Sequence, residues 1–452
     1  MLFLFTLVFA SSFRHGSGFF AGNHNYFVSP AGDVNGDGYA DILMSTFITE
    51  FGASKGGKVF LYFGTGSGIS GTPNWTGTSS QEASNYGETV ANAGDVNGDG
   101  FADIIVGAPR HSNGEENEGA AFVYFGSPSG LPKQPSWSVE GQQANAFFGT
   151  AVAGGGDVNK DGYADVVIGA HFFDNGETNE GRVFVYLGSA NGLAKDPIWT
   201  AEGNQVGANF GKSVTCAGDI NKDGYSDVLV GAPNYDNGQN NEGRAFLFLG
   251  SNMGLTQSPA WTGESNQADA NFGNSVAFAG DVNGDTFSDI LVGANRFDEG
   301  QSNVGKIFVY LGSSGGMSIY PDWSYAGNIM DGNLGLAVAP AGDINGDGFG
   351  EIIVGSFGGS QQSAKGIAYV FTGSAKGMTN QVTQIAVQNN PQALVGQSVA
   401  SAGDINGDGY ADVMAGIIWD EGNSTNPGKV MLINGSSKGL KLGSGDVVPS
   451  RP

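Results

Sequence analysis

Asp157-Val158-Asn159-Lys160-Asp161-Gly162-Tyr163-Ala164-Asp165 is the third of seven strings of the form D-x-N-x-D-x-x-x-[D/E] in this chain of 452 residues. The others begin at Asp33, Asp95, Asp219, Asp281, Asp343 and Asp404, so successive copies start 62 residues apart five times and 61 apart once. Self-similarity at a fixed period of this length marks a repeat architecture. Alternate oxygen-bearing side chains in a tight loop mark a site for a hard cation.

In the third string, positions 1, 3, 5 and 9 (Asp157, Asn159, Asp161 and Asp165) offer side-chain oxygens, and position 7, Tyr163, offers its backbone carbonyl. Calcium takes about six to eight oxygens at about 2.3–2.6 Å, so such a loop can surround it. Magnesium demands stricter geometry, and zinc wants His or Cys, which these loops lack. Gly at position 6 admits the positive φ that turns the chain back. The same assignment gives Asp33, Asn35, Asp37, Tyr39 and Asp41 in the first loop and Asp95, Asn97, Asp99, Phe101 and Asp103 in the second. It gives Asp219, Asn221, Asp223, Tyr225 and Asp227 in the fourth, and Asp281, Asn283, Asp285, Phe287 and Asp289 in the fifth. The sixth has Asp343, Asn345, Asp347, Phe349 and Glu351, and the seventh Asp404, Asn406, Asp408, Tyr410 and Asp412. The expectation is up to seven calcium ions, with an ion-free Asx-rich turn as the alternative. In the fifth loop Thr286 stands where Gly belongs, which puts that turn in question; the Glu351 loop should still bind.

Net charge is −25, and the seven loops hold 21 of the 44 acidic residues. Seven dications would offset 14 of those negative charges, so much of the acidity is ligand rather than polyanionic surface. Nucleic acid and anionic membranes are poor partners for such a chain.

Each loop is flanked by the same runs. In the third repeat a small-residue run, Phe148 to Ala153, precedes the loop, and Asp165 to Ala170 follows it. Then come an acidic Gly-rich connection, the apolar run Gly181 to Gly188, and a run centred on Trp199. Short β-branched and aromatic runs bounded by Gly, Asn and Asp predict four strands per repeat. Seven such units predict an all-β seven-bladed β-propeller, a single domain over about residues 20–445. The small first strand suits a crowded axis, and the apolar third strand should be covered by neighbouring blades. Trp75, Trp137, Trp199, Trp261 and Trp323, again 62 apart, read as packing residues between blades.

Phe148-Gly149, Phe210-Gly211 and Phe272-Gly273, followed by the acidic loop and by Gly107-Ala108-Pro109 or Gly231-Ala232-Pro233, resemble the FG-GAP repeat. That repeat builds the propeller of integrin α subunits, and the resemblance covers about residues 20–440. The first repeat has His24-Asn25 and the seventh Val395-Gly396 where Phe-Gly should lie. The resemblance implies a partner-binding face opposite the acidic loops. Equivalent positions there hold His111, Phe173, Tyr235 and Phe297, with Trp419 one residue off register.

A single cysteine, Cys216, excludes an intrachain disulfide, and with calcium loops this suggests a bacterial exported protein. Residues 1–12 are apolar and read as a signal segment or as a strand completing the last blade. With no integrin-type leg or anchor in the sequence, no integrin β partner is expected. The functional expectation is a secreted or cell-surface, non-enzymatic adhesion or protein-recognition module. A lectin-like propeller is the alternative, and a polysaccharide-active enzyme the lesser one, since no repeat carries a recognisable nucleophile motif.

Overall fold

The computed structural model describes residues 23–50, 53–356, 366–385, 393–419 and 429–441. The expectations for residues 1–12 and for the Trp419 side chain fall outside them. Within the described residues the chain forms seven antiparallel sheets in sequence order, one per repeat, plus one two-residue hairpin. The third sheet shows the plan: Ala151–Gly156 pairs with Asp165–Ala170, which pairs with Arg182–Tyr186, which pairs with Trp199–Glu202. Six sheets have four strands, and the seventh has Ala393–Gly403, Asp412–Trp419 and Lys429–Ile433 among the described residues.

The strand composition follows the taper of the ring. First strands of neighbouring blades meet near the axis, and a Cβ on Gly154 would lie 2.5 Å from the Cα of Ala93 in the preceding blade. Bulk is excluded there. The second strands, such as Asp165–Ala170 and Asp227–Ala232, are buried at every residue. The third strands are covered too, except at their first residue, Arg182, Arg244 or Lys306, and at the half-buried Phe184. Complete burial therefore belongs to the second strand, while the third, though paired on both edges as well, opens at its charged first residue at the end away from the acidic loop. Between blades three and four, Val167, Val183, Val185 and Trp199 pack against Val228, Val230, Phe246 and Phe248.

The recurrent tryptophans lie between blades. Each indole Nε1 donates across to the connection between the third and fourth strands of the next blade: Trp75 to Pro132 O at 2.8 Å, Trp199 to Thr256 O at 3.1 Å and Trp261 to Ser318 O at 2.7 Å. Each ring also meets an aromatic of that blade edge-on, as Trp261 meets Tyr310 at 4.8 Å. Trp261→Phe keeps the ring contact but removes the indole donor. It should cost about 1–2 kcal/mol in urea unfolding, the worth of one hydrogen bond and some lost contact; an unchanged midpoint would rule this role out.

The ring closes. The carbonyl of position 1 in each loop accepts the position-8 amide of the next loop: Asp33 O from Ala102 N, Asp95 O from Ala164 N, Asp157 O from Ser226 N and Asp219 O from Ser288 N. Asp281 O accepts from Gly350 N and Asp343 O from Ala411 N, and Asp404 O accepts from Ala40 N of the first blade at 3.2 Å. All seven acidic loops thus join one continuous belt at one end of the barrel.

Candidate metal centre

Every loop is the hairpin between the first and second strands of its blade, and its geometry is written by its own side chains. In the third loop Asp157 Oδ1 accepts from Asp161 N at 3.1 Å and Oδ2 from Gly162 N at 2.8 Å. Asn159 Oδ1 accepts from Asp161 N at 3.1 Å, and Asp161 Oδ1 accepts from Tyr163 N at 3.0 Å. Asn159 also donates its Nδ2 to Asp161 Oδ2 at 2.9 Å. The position-6 amide bond recurs in the other six loops, whereas the Asn side chain donates to position 5 in the first five loops and to position 9 in the sixth and seventh.

Position 9 differs from the others. Asp41, Asp103, Asp165, Asp227, Asp289, Glu351 and Asp412 are fully buried. Asp165 Oδ2 accepts from Val158 N at 2.8 Å, and Oδ1 accepts from Gly188 N at 2.9 Å at the far end of the third strand. It is a rivet joining the loop to the next connection. Burial pushes the Asp165 carboxyl up to about 7; the Gly188 and Val158 amides pull it back, and Asp157 and Asp161 push it further up. The other six position-9 groups are likewise raised to about 7, chiefly by burial.

Among the described residues no group of three or more His, Cys, Asp and Glu side chains stands in a coordinating arrangement. The loop carboxylates are turned onto their own amides. The donor chemistry nevertheless fits calcium. Position 9 feels the negative charge of positions 1 and 5 in every loop, and carboxylate oxygens bonded to one amide keep a lone pair free. Asn345 Nδ2 reaches Glu351 Oε1 at 3.2 Å in the sixth loop, so positions 3 and 9 adjoin there. Asp343, Asn345, Asp347 and Glu351 would hold the ion in that loop, with Phe349 offering its carbonyl. A bound dication would supply the positive charge that three adjoining carboxylates lack.

Thr286 keeps the turn and takes up the strain in its backbone. Its φ is +73°, in the left-handed region, and its amide reaches Asp281 Oδ2 at 2.7 Å, as glycine amides do in the other loops. The Lys222 ammonium of the fourth loop donates to Thr286 Oγ1. Left-handed backbone costs a residue with a Cβ roughly 1–2 kcal/mol. Thr286→Gly should therefore stabilise the protein by up to about 1 kcal/mol in thermal melts, once glycine's greater freedom in the unfolded chain is deducted. A lower melting temperature would show that the Lys222 contact outweighs the strain.

Three recurring features lie outside the donor set of the motif, and the structure shows their role. Position 4 is also left-handed, even where it is Lys160 (φ 61°) or Lys222 (φ 62°). It sits against the position-7 ring of the next loop: Lys160 lies over Tyr225 at 5.3 Å and Lys222 over Phe287 at 5.5 Å. At the other end of the barrel, Gln143 Nε2 donates to Asp174 O and its Oε1 accepts from Asp174 N, both at 2.8 Å. Gln81, Gln205 and Gln267 clamp Ser112, Asp236 and Asp298 in the same way. These glutamines stand 62 residues apart, a signal available in the sequence.

That opposite end also carries the four rim residues, each just beyond a second strand. They lie at equivalent places and lean on their own blades. Phe173 meets Phe184 at 5.9 Å with Arg182 over its face at 5.1 Å, and Tyr235 meets Phe246 at 5.5 Å with Arg244 at 5.1 Å. Phe297 meets Phe308 at 6.1 Å with Lys306 at 4.8 Å. His111 meets Phe122 at 5.9 Å and stands 3.7 Å from Glu140. All four are half-buried.

Comparison with known proteins agrees with the geometry. The FG-GAP repeat family matches residues 86–124, 148–186, 213–248 and 272–310, and the FG-GAP-like repeat family matches residues 343–415. This is an integrin α-like FG-GAP propeller. The matches span six of the seven acidic loops, and the structure supplies the first blade with the same hairpin. The chain is 32% identical to integrin alpha-5 of Xenopus laevis over 189 residues, 38% of this chain and 18% of the relative. It is 33% identical to integrin alpha-8 of Gallus gallus over 213 residues, 45% and 19% of the two chains. It is 35% identical to integrin alpha pat-2 of Caenorhabditis briggsae over 219 residues, 44% and 17%. The FG-GAP chain thus spans less than a fifth of the length of these relatives. Among its described residues no helix is long and apolar enough to cross a membrane.

Proposed function

We propose that this propeller binds calcium through its seven loops and serves outside the cell as a non-enzymatic adhesion or protein-recognition module. The partner sits on the end opposite the loops. One observation carries the proposal: seven acidic hairpins, each with a buried third carboxylate, are linked into a closed belt on a scaffold similar to integrin α subunits. Calcium supports the belt, and the long connections between second and third strands are free to vary. Extracellular calcium modules work at ~10⁻⁴–10⁻³ M affinity, which such exposed loops suit.

The test is binding of the calcium-loaded protein to arrays of extracellular matrix proteins and of glycans, with and without EDTA. Protein ligands retained in calcium and lost from a Phe173→Ala, Tyr235→Ala, Phe297→Ala triple variant are expected. Each truncation removes a cation–π contact worth about 0.5–1 kcal/mol, so the variant should remain folded in calcium. Binding only to glycans would transfer the protein to the lectin class. Full binding by the triple variant would move the surface away from this rim.

A further inference from the structure

The belt that closes the ring runs through the peptide groups expected to face the cation. The amide of position 8 and the carbonyl of position 7 belong to one planar peptide unit, in which C=O and N–H point in opposite directions. In the third loop this unit joins Tyr163 to Ala164, and Ala164 N donates to Asp95 O in the second loop at 2.9 Å. In the fourth it joins Tyr225 to Ser226, and Ser226 N donates to Asp157 O in the third loop at 2.9 Å. Asp95 and Asp157 are the first side-chain donors of their own loops. A cation drawing on the position-7 carbonyl orients and polarises the peptide whose N–H fixes position 1 of the preceding loop. Hydrogen bonds in series strengthen one another in this way. The position-7 ring adds a second link: a Cβ on Gly98 of the second loop would meet the Tyr163 ring at 2.6 Å.

We infer that the seven loops take up cations as a neighbour-coupled ring, each filled loop preparing the loop before it through the peptide unit of positions 7 and 8. This rests on calcium occupying the loops, as proposed above. The coupling is local and reciprocal, since an effect of one loop on the affinity of the next must be returned in equal measure. Emptying the third loop should therefore weaken the second and fourth and spare those across the ring.

The variant is Asp161→Ala, at an exposed position 5, with Asn159→Ala as an independent second lesion in the same loop. Both are crystallised in limiting calcium beside the wild type, and occupancy is read loop by loop from anomalous scattering. Calorimetric titration gives the corresponding affinities. The expected result is loss at the third loop together with an affinity drop of about fivefold or more, a usual size for such coupling, at the second and fourth. The sixth and seventh should be unchanged. Loss confined to the third loop, or equal loss around the whole ring, overturns the coupling. A wild type that holds no cation in any loop instead overturns calcium binding itself, so the two failures are distinguishable.

Discussion

Stripped of calcium by EDTA, the protein is expected to melt well below its temperature in 1 mM calcium. A ligand that binds the folded state alone stabilises it by RT ln(1 + [L]/Kd) at each site. With dissociation constants of ~10⁻⁴–10⁻³ M, each loop contributes about 0.4–1.4 kcal/mol, and seven independent loops contribute about 3–10 kcal/mol. For a chain of this size that is a shift of roughly 3–10 °C in melting temperature. The apo state is also the one in which the three carboxylates of every loop repel one another. Unfolding followed by circular dichroism in EDTA, in magnesium and in calcium checks this. Coincident curves would mean that the amide bonds within each hairpin suffice and that the loops are ion-free turns.

What the sequence announced was the period and the donors. A nine-residue string repeated every 62 residues fixes blade number, the hairpin that carries each loop, and the place of the tryptophans, because each of these follows from spacing alone. What it could not announce was how one side chain divides its work. Asp161 and Asp165 are both acidic positions of one motif, yet Asp161 is exposed and bonded only within its loop, whereas Asp165 is buried and reaches Gly188 in a later connection. That bond depends on the third strand returning to the same end of the blade, which no local pattern encodes. The packing beneath the rim aromatics is hidden for a similar reason. Phe173 reads as an exposed ring on a polar loop, but Arg182 and Phe184 of its own third strand come up beneath and over it. The belt between loops is invisible as well, since its donors are main-chain amides of Ala, Ser and Gly. Only the small size of position 8 hints that another backbone passes close by.

The division between positions 5 and 9 gives the second large effect, and it separates ion binding from architecture within one loop. Asp227 is fully buried, with Oδ2 accepting from Ile220 N at 2.9 Å and Oδ1 from Gly250 N at 2.8 Å. Asp227→Ala leaves both amides buried without a partner, at about 1–3 kcal/mol each. A loss of about 2–6 kcal/mol is expected from urea unfolding, and it should persist in EDTA, because the bonds being broken are internal to the protein. Asp223 is exposed, and its carboxylate accepts from Tyr225 N and from the Asn221 amide, at 3.0 and 2.9 Å. Asp223→Ala should then cost under about 1 kcal/mol in EDTA, where water replaces those partners, and should cost more in calcium, where it also forfeits the ion. The two variants thus differ in where their cost appears: large already in EDTA for Asp227, small and revealed only by calcium for Asp223. If Asp227→Ala were as mild as Asp223→Ala in EDTA, the buried carboxylate would be serving the ion alone. The rivet between loop and connection would then have to lie in the belt of backbone bonds instead.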